Sequence, residues 1–167
     1  QVAYLERMLR MVRTNTREEG PGLSYTPVES YIDPERYRRE VGLMFRRQPV
    51  IVAFSGQLRR PGDFVTHEQT GQPILVVRGT DGVLRAFLNV CRHRSGKVAE
   101  KYGLVWVVPT ALADGEPADL DIDAWLGPLV PDLAGWNMAG WEVQASLPIR
   151  PRMNWKLVID TFLELYH

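Results

Sequence analysis

The sequence predicts an α+β fold, and three patterns predict it. Apolar residues recur at helical spacing near both ends, continuous or alternating apolar runs fill residues 49–108, and a Gly-Thr-Asp-Gly turn separates two of those runs. Composition agrees, since 45% hydrophobic and 24% charged residues over 167 positions give a chain able to bury a core rather than a disordered one. Twenty basic residues cancel twenty acidic ones, which excludes a grip on nucleic acid or an anionic membrane that depends on net charge. The single cysteine, Cys91, excludes an intramolecular disulfide framework. No run approaches the roughly 20 apolar residues of a membrane span, and QVAYLERMLRMVRTNTR has no signal-peptide core. The expected setting is a soluble, cytoplasmic protein.

Taken in order, Val2, Leu5, Met8, Leu9 and Val12 make an amphipathic helix over 1–17, ended by Gly20, Pro21 and Gly22. Asp33 is placed to cap a second helix with Pro34 in its first position. PVIVAF then reads as a strand and GQLRRPGDF as a turn-rich connection. Ile74–Arg78 and Val83–Val90 flank Gly79-Thr80-Asp81-Gly82 as a hairpin, because Gly and Asp accept the backbone angles of such a turn. Leu104–Val108 is a further buried strand. Residues 111–123 are acidic and loop-like, DAWLGPL and PDLAGW suggest short helices or turns, EVQASLPI reads as a strand, and NWKLVIDTFLELYH as a helix.

Cys91-Arg92-His93 follows the predicted hairpin. Cys and His two residues apart, just past a strand, can converge on one metal, and thiolate with neutral imidazole suits zinc or iron. A buried Cys beside an exposed His is the other reading of such a bare pair.

The run GQPILVVRGTDGVLRAFLNVCRHRSG resembles the first half of a Rieske iron–sulfur domain, and NWKLVIDTFLELYH resembles the start of the catalytic motif of Rieske non-haem iron oxygenases, the ring-hydroxylating α-subunit family. SYTPVESYIDPERYRREV, RRPGDF, YGLVWV and the LGPL segment resemble the corresponding stretches of that family, so the likeness covers nearly the whole chain. The resemblance implies a small antiparallel β Rieske domain over 41–107 and the start of a helix-grip catalytic domain over 108–167, with the helical segment 1–40 packed against the latter. It implies that Cys91 and His93 hold a [2Fe–2S] cluster, that His167 is the first ligand of a mononuclear Fe(II), that Glu164 couples the two centres, and that Asp160 lies near the iron without binding it. It further implies electrons from NAD(P)H through a reductase, with or without a ferredoxin, and activation of O₂ to hydroxylate an organic, aromatic substrate. A homotrimer or an α3β3 assembly is expected, with no nucleic acid or membrane partner.

The sequence departs from the family at both metal sites. A Rieske cluster needs two Cys and two His, and no second C-x-x-H motif is present. The several tens of residues that would carry it are missing, a gap the sequence reading puts between Glu100 and Lys101. The second iron His and the carboxylate ligand are also absent. Either the chain has lost both sites, or it is an enzyme whose second loop and later helix are disordered for want of metal, which orders ligand loops; the second is favoured. An electron carrier without its own iron and a metal-free scaffold are the alternatives in function.

Overall fold

The computed structural model describes residues 2–17, 25–88, 95–113, 115–147 and 149–163. Among the described residues six α-helices accompany one six-stranded sheet. The helices are α1 (Val2–Thr14), α2 (Glu29–Ile32), α3 (Pro34–Glu40), α4 (Ile122–Leu126), α5 (Val130–Gly135) and α6 (Trp155–Leu163). The strands are β1 (Val50–Phe54), β2 (Phe64–His67), β3 (Ile74–Arg78), β4 (Leu84–Leu88), β5 (Ser95–Lys101) and β6 (Leu104–Ala111), in the spatial order β1-β6-β5-β4-β3-β2, with every neighbouring pair antiparallel.

The local signals act as physical chemistry requires. Asp33 accepts a hydrogen bond from the Glu35 amide at 2.8 Å and Pro34 occupies the first turn of α3, so the cap and the pre-set proline angle start that helix together. Its last turn widens into a π-helical stretch over Val41–Phe45. In the β3–β4 hairpin Gly82 takes φ +78°, and Val83 N–H donates to Asp81 Oδ1 at 3.1 Å. The β5–β6 hairpin turns on Tyr102 (φ +58°) and Gly103 (φ +75°), the pair of positive angles that matches the twist of the flanking strands.

Strand β6 explains why one apolar run does not alternate. Val105 and Val107 face a core with Ala53, Leu58, Ile74, Val76, Leu84 and Ala86, whereas Leu104 and Trp106 face a second core with Ile122, Leu126 and Met138. Successive residues of a strand point to opposite faces, so a strand covered on both sides is apolar at every position. The sheet therefore closes its main core on one side, while α4 and the 3₁₀ turn Met138–Gly140 cover β6 on the other.

Three expectations change. The connection over 56–64 ends in an unexpected strand, β2, which pairs with β3 from Phe64↔Val77 to His67↔Ile74. EVQASLPI is not a strand: its described residues have no ladder partner, and Leu147 and Ile149 are 86% and 85% exposed. Apolar alternation there has no sheet edge to satisfy. The interruption expected between Glu100 and Lys101 is not found, because both residues are consecutive rungs of β5, opposite Val105 and Leu104.

The proposed boundary at 107/108 cuts through β6, which runs on to Ala111. Among the described residues after it there are helices and extended segments but no strand. Residues 1–40 touch α6 through α2 and α3, while α1 has no buried residue.

Candidate metal centre

Strands β2 and β4 end, and β3 begins, in one row across the sheet: His67 lies opposite Ile74, and Ile74 opposite Leu88. Residues 89–94 follow Leu88 and carry Cys91 and His93; they lie outside the described residues, as do Glu164 and His167, which follow the last turn of α6. Of the residues singled out from the sequence, only Asp160 has a described environment.

Asp160 accepts the phenol hydrogen of Tyr31 at Oδ2, 2.7 Å away. The hydrogen bond to a carboxylate and that group's negative charge push the Tyr31 phenol up from 10.0. Two further contacts tie the same elements. Asn154 Nδ2 donates to the Tyr31 carbonyl at 2.8 Å, and Lys156 bonds Glu40, whose carboxyl is held below its usual value by that ammonium. Phe45 and Trp155 meet edge to face with centroids 5.2 Å apart. The helix leading to Glu164 and His167 is thus fastened to the N-terminal helices at each of its first two turns.

His67 went unmarked in the sequence reading. Its Nε2 is buried without a hydrogen-bond partner, and burial lowers its pKa below 6.5, so the ring is neutral near pH 7. With Tyr37, Arg46 and Trp155 it lines a cavity of about 990 Å³ between α3, β1, the end of β2 and α6. A lone His in an edge strand carries no spacing signal, and its position at the row leading to Leu88 exists only once the strands pair.

A [2Fe–2S] cluster with mixed thiolate and imidazole ligation requires four protein ligands. Cys91 and His93 have the right donor chemistry for one Cys–His pair. The other pair is not available: the sequence has no second Cys, and β5 and its two-residue turn into β6 leave no loop between Ser95 and Leu104. Among the described residues no group of three or more His, Cys, Asp or Glu is close enough to hold a metal. These 167 residues therefore do not complete a cluster site.

Residues 48–108 match the family model of the Rieske [2Fe–2S] domain. The chain is 30% identical to the glycine betaine monooxygenase oxygenase subunit of Chromohalobacter salexigens, over 84% of this chain and 41% of that protein. It is 28% identical to the carnitine monooxygenase oxygenase subunit of Escherichia coli K12, over 84% of this chain and 50% of that one. Among solved structures, the quaternary ammonium Rieske monooxygenase CntA in complex with γ-butyrobetaine matches with a TM-score of 0.72 at 21% identity, over 84% of this chain and 54% of that one. The chain thus spans about half the length of these relatives. Both sequence alignments extend over 187 positions, more than the 167 residues of this chain, so the relatives carry residues inside the matched region that it lacks.

Proposed function

We propose, from the premise that this chain carries a Rieske [2Fe–2S] domain and is homologous to the oxygenase subunits of Rieske monooxygenases, that it serves in the monooxygenation of a quaternary ammonium compound. In that reaction class, O₂, two electrons and two protons yield one oxygen atom inserted into substrate and one molecule of water. Electrons come from NAD(P)H through a reductase, and the subunits work as an oligomer. A Rieske cluster and a mononuclear iron supply the redox chemistry of such an enzyme. Cys91 and His93 are the chain's contribution to the first, and His167 its contribution to the second, with Glu164 between them. The remaining ligands are not among these 167 residues.

Likeness to the oxygenase subunits for glycine betaine and carnitine over 84% of the chain carries the reading. It replaces the aromatic substrate expected from the sequence with a trimethylammonium compound. The role assigned to the described part is mechanical. Tyr31, Asn154 and Lys156 fasten α6 to α2 and α3.

The test uses the protein isolated from its source with its natural partners, supplied with NADH and O₂. Consumption of both that depends on glycine betaine, carnitine or γ-butyrobetaine supports the proposal. Consumption that depends on naphthalene or benzene and not on these compounds overturns the substrate class, and no consumption with any of them overturns the oxygenase reading.

A further inference from the structure

Strand β5 loses its pairing with β4 and slips register against β6 at one peptide bond. On the β4 side its pairing stops at Gly96, with Ser95 opposite Phe87 and Gly96 opposite Ala86. On the β6 side, Gly96 is opposite Ala111 but Lys97 is opposite Val108, so the register skips Pro109 and Thr110. From Lys97 to Lys101 the strand pairs with β6 alone in unbroken register down to the turn. Proline lacks an N–H and cannot donate to a ladder, which explains a bulge in β6 at Pro109. It does not explain why pairing with β4 ends at the same bond. Gly96 also sits where three strands crowd: a Cβ there would meet Val108 O at 3.2 Å and Ala86 Cβ at 4.0 Å.

We infer that the Gly96–Lys97 bond is a seam, the point at which this chain closes its sheet directly where its relatives carry the second ligand loop, and that the sheet therefore folds without a cluster. The inference rests on the Rieske reading of residues 48–108. Three observations support it independently of that reading's substrate. The alignments are longer than the chain. The sequence offers one Cys. The pairing discontinuity falls between the two halves of β5, not at the Glu100–Lys101 bond that the sequence reading marked. Residues 95–96 finish the segment that begins at Cys91, and residues 97–101 belong to the hairpin with β6. A hairpin stabilised by its own ladder, by Arg78 on Glu100 (2.8 Å) and by Lys97 on Glu116 (2.9 Å) needs no metal to hold it.

The experiment takes the 167-residue chain expressed with excess iron and sulfide, and measures iron, acid-labile sulfide, visible absorption and thermal melting with and without chelator. The expected result is a folded protein with iron and sulfide far below one cluster per chain and a melting curve that the chelator leaves unchanged. A cluster in near-unit ratio, or a melting midpoint that falls on chelation, overturns the inference. A second pair of variants tests the seam itself. A loop containing Cys-x-x-His is inserted either between Gly96 and Lys97 or between Glu100 and Lys101. The first insertion is expected to keep the sheet's hydrogen-exchange protection and to gain a cluster that is lost on C91A, while the second loses protection in β5 and β6. Equal loss at both places overturns the seam. If the first variant keeps its protection yet takes up no cluster, the Rieske ligand reading of Cys91 and His93 fails instead.

Discussion

Tyr31 and Asp160, 129 residues apart in sequence, share a hydrogen bond of 2.7 Å from the phenol to the carboxylate. It joins the short helix α2 to the exposed flank of α6, so a side chain of the N-terminal segment holds a carboxylate one turn into that helix.

Removing either partner of that bond is expected to free the first turns of α6. Y31F and D160N should each raise amide exchange rates in residues 155–163 while leaving β3–β6 unchanged. The double variant should add nothing to either single one, the signature of a pairwise contact. Additive effects would show that the two residues act separately.

The turn of the β5–β6 hairpin should tolerate no side chain at Gly103. Its φ of +75° alone costs a non-glycine residue about 1–2 kcal/mol, and a Cβ would lie 2.2–2.7 Å from the backbone of Met138 and Ala139. G103A is expected to lower the melting midpoint and to expose Trp106, which a red shift in tryptophan emission would report.

The main core predicts its own cost of truncation. Leu58 is fully buried among Ile74, Val76 and Val105, so L58A should destabilise the sheet by about 2–5 kcal/mol in denaturant titration. A change under ~1 kcal/mol would mean that the site collapses around the smaller side chain.

His67 supplies a pH dependence with a definite sign. Its folded pKa lies below 6.5 because burial disfavours the imidazolium. The unfolded chain therefore binds the proton first as pH falls, and the stability of the neutral, buried state is lost in acid. The melting midpoint is expected to fall as pH drops below about 6.5, and H67L should flatten that fall. The carboxylates of Glu40, Asp123 and Glu116 are all held below their ordinary values by cations or amides, so their losses come at lower pH and do not mask this one.

How much was legible beforehand follows from which interactions are local. The cap at Asp33, the turn at Gly79–Gly82 and the doubly buried run of β6 are written in neighbouring residues, and all three are found in the structure. Strand β2 was missed because Phe64–His67 is short and half exposed and becomes a strand only through β3. EVQASLPI shows the converse, an alternating pattern with nothing to pair against. At the candidate site, Cys91, His93, Glu164 and His167 were marked by motif, whereas the Tyr31–Asp160 bond and the position of His67 depend on segments far apart in the chain. Sequence alone puts the missing residues at Glu100–Lys101, because only strand pairing shows that β5 leaves β4 and slips against β6 after Gly96.

Electron paramagnetic resonance of the dithionite-reduced variant carrying the Cys-x-x-His loop between Gly96 and Lys97, compared with and without C91A, bears most directly on whether Cys91 and His93 form one side of a Rieske cluster. A reduced [2Fe–2S] signal with histidine nitrogen coupling should be present with the inserted loop and absent once C91A is added. The same signal, undiminished in C91A, would contradict that assignment.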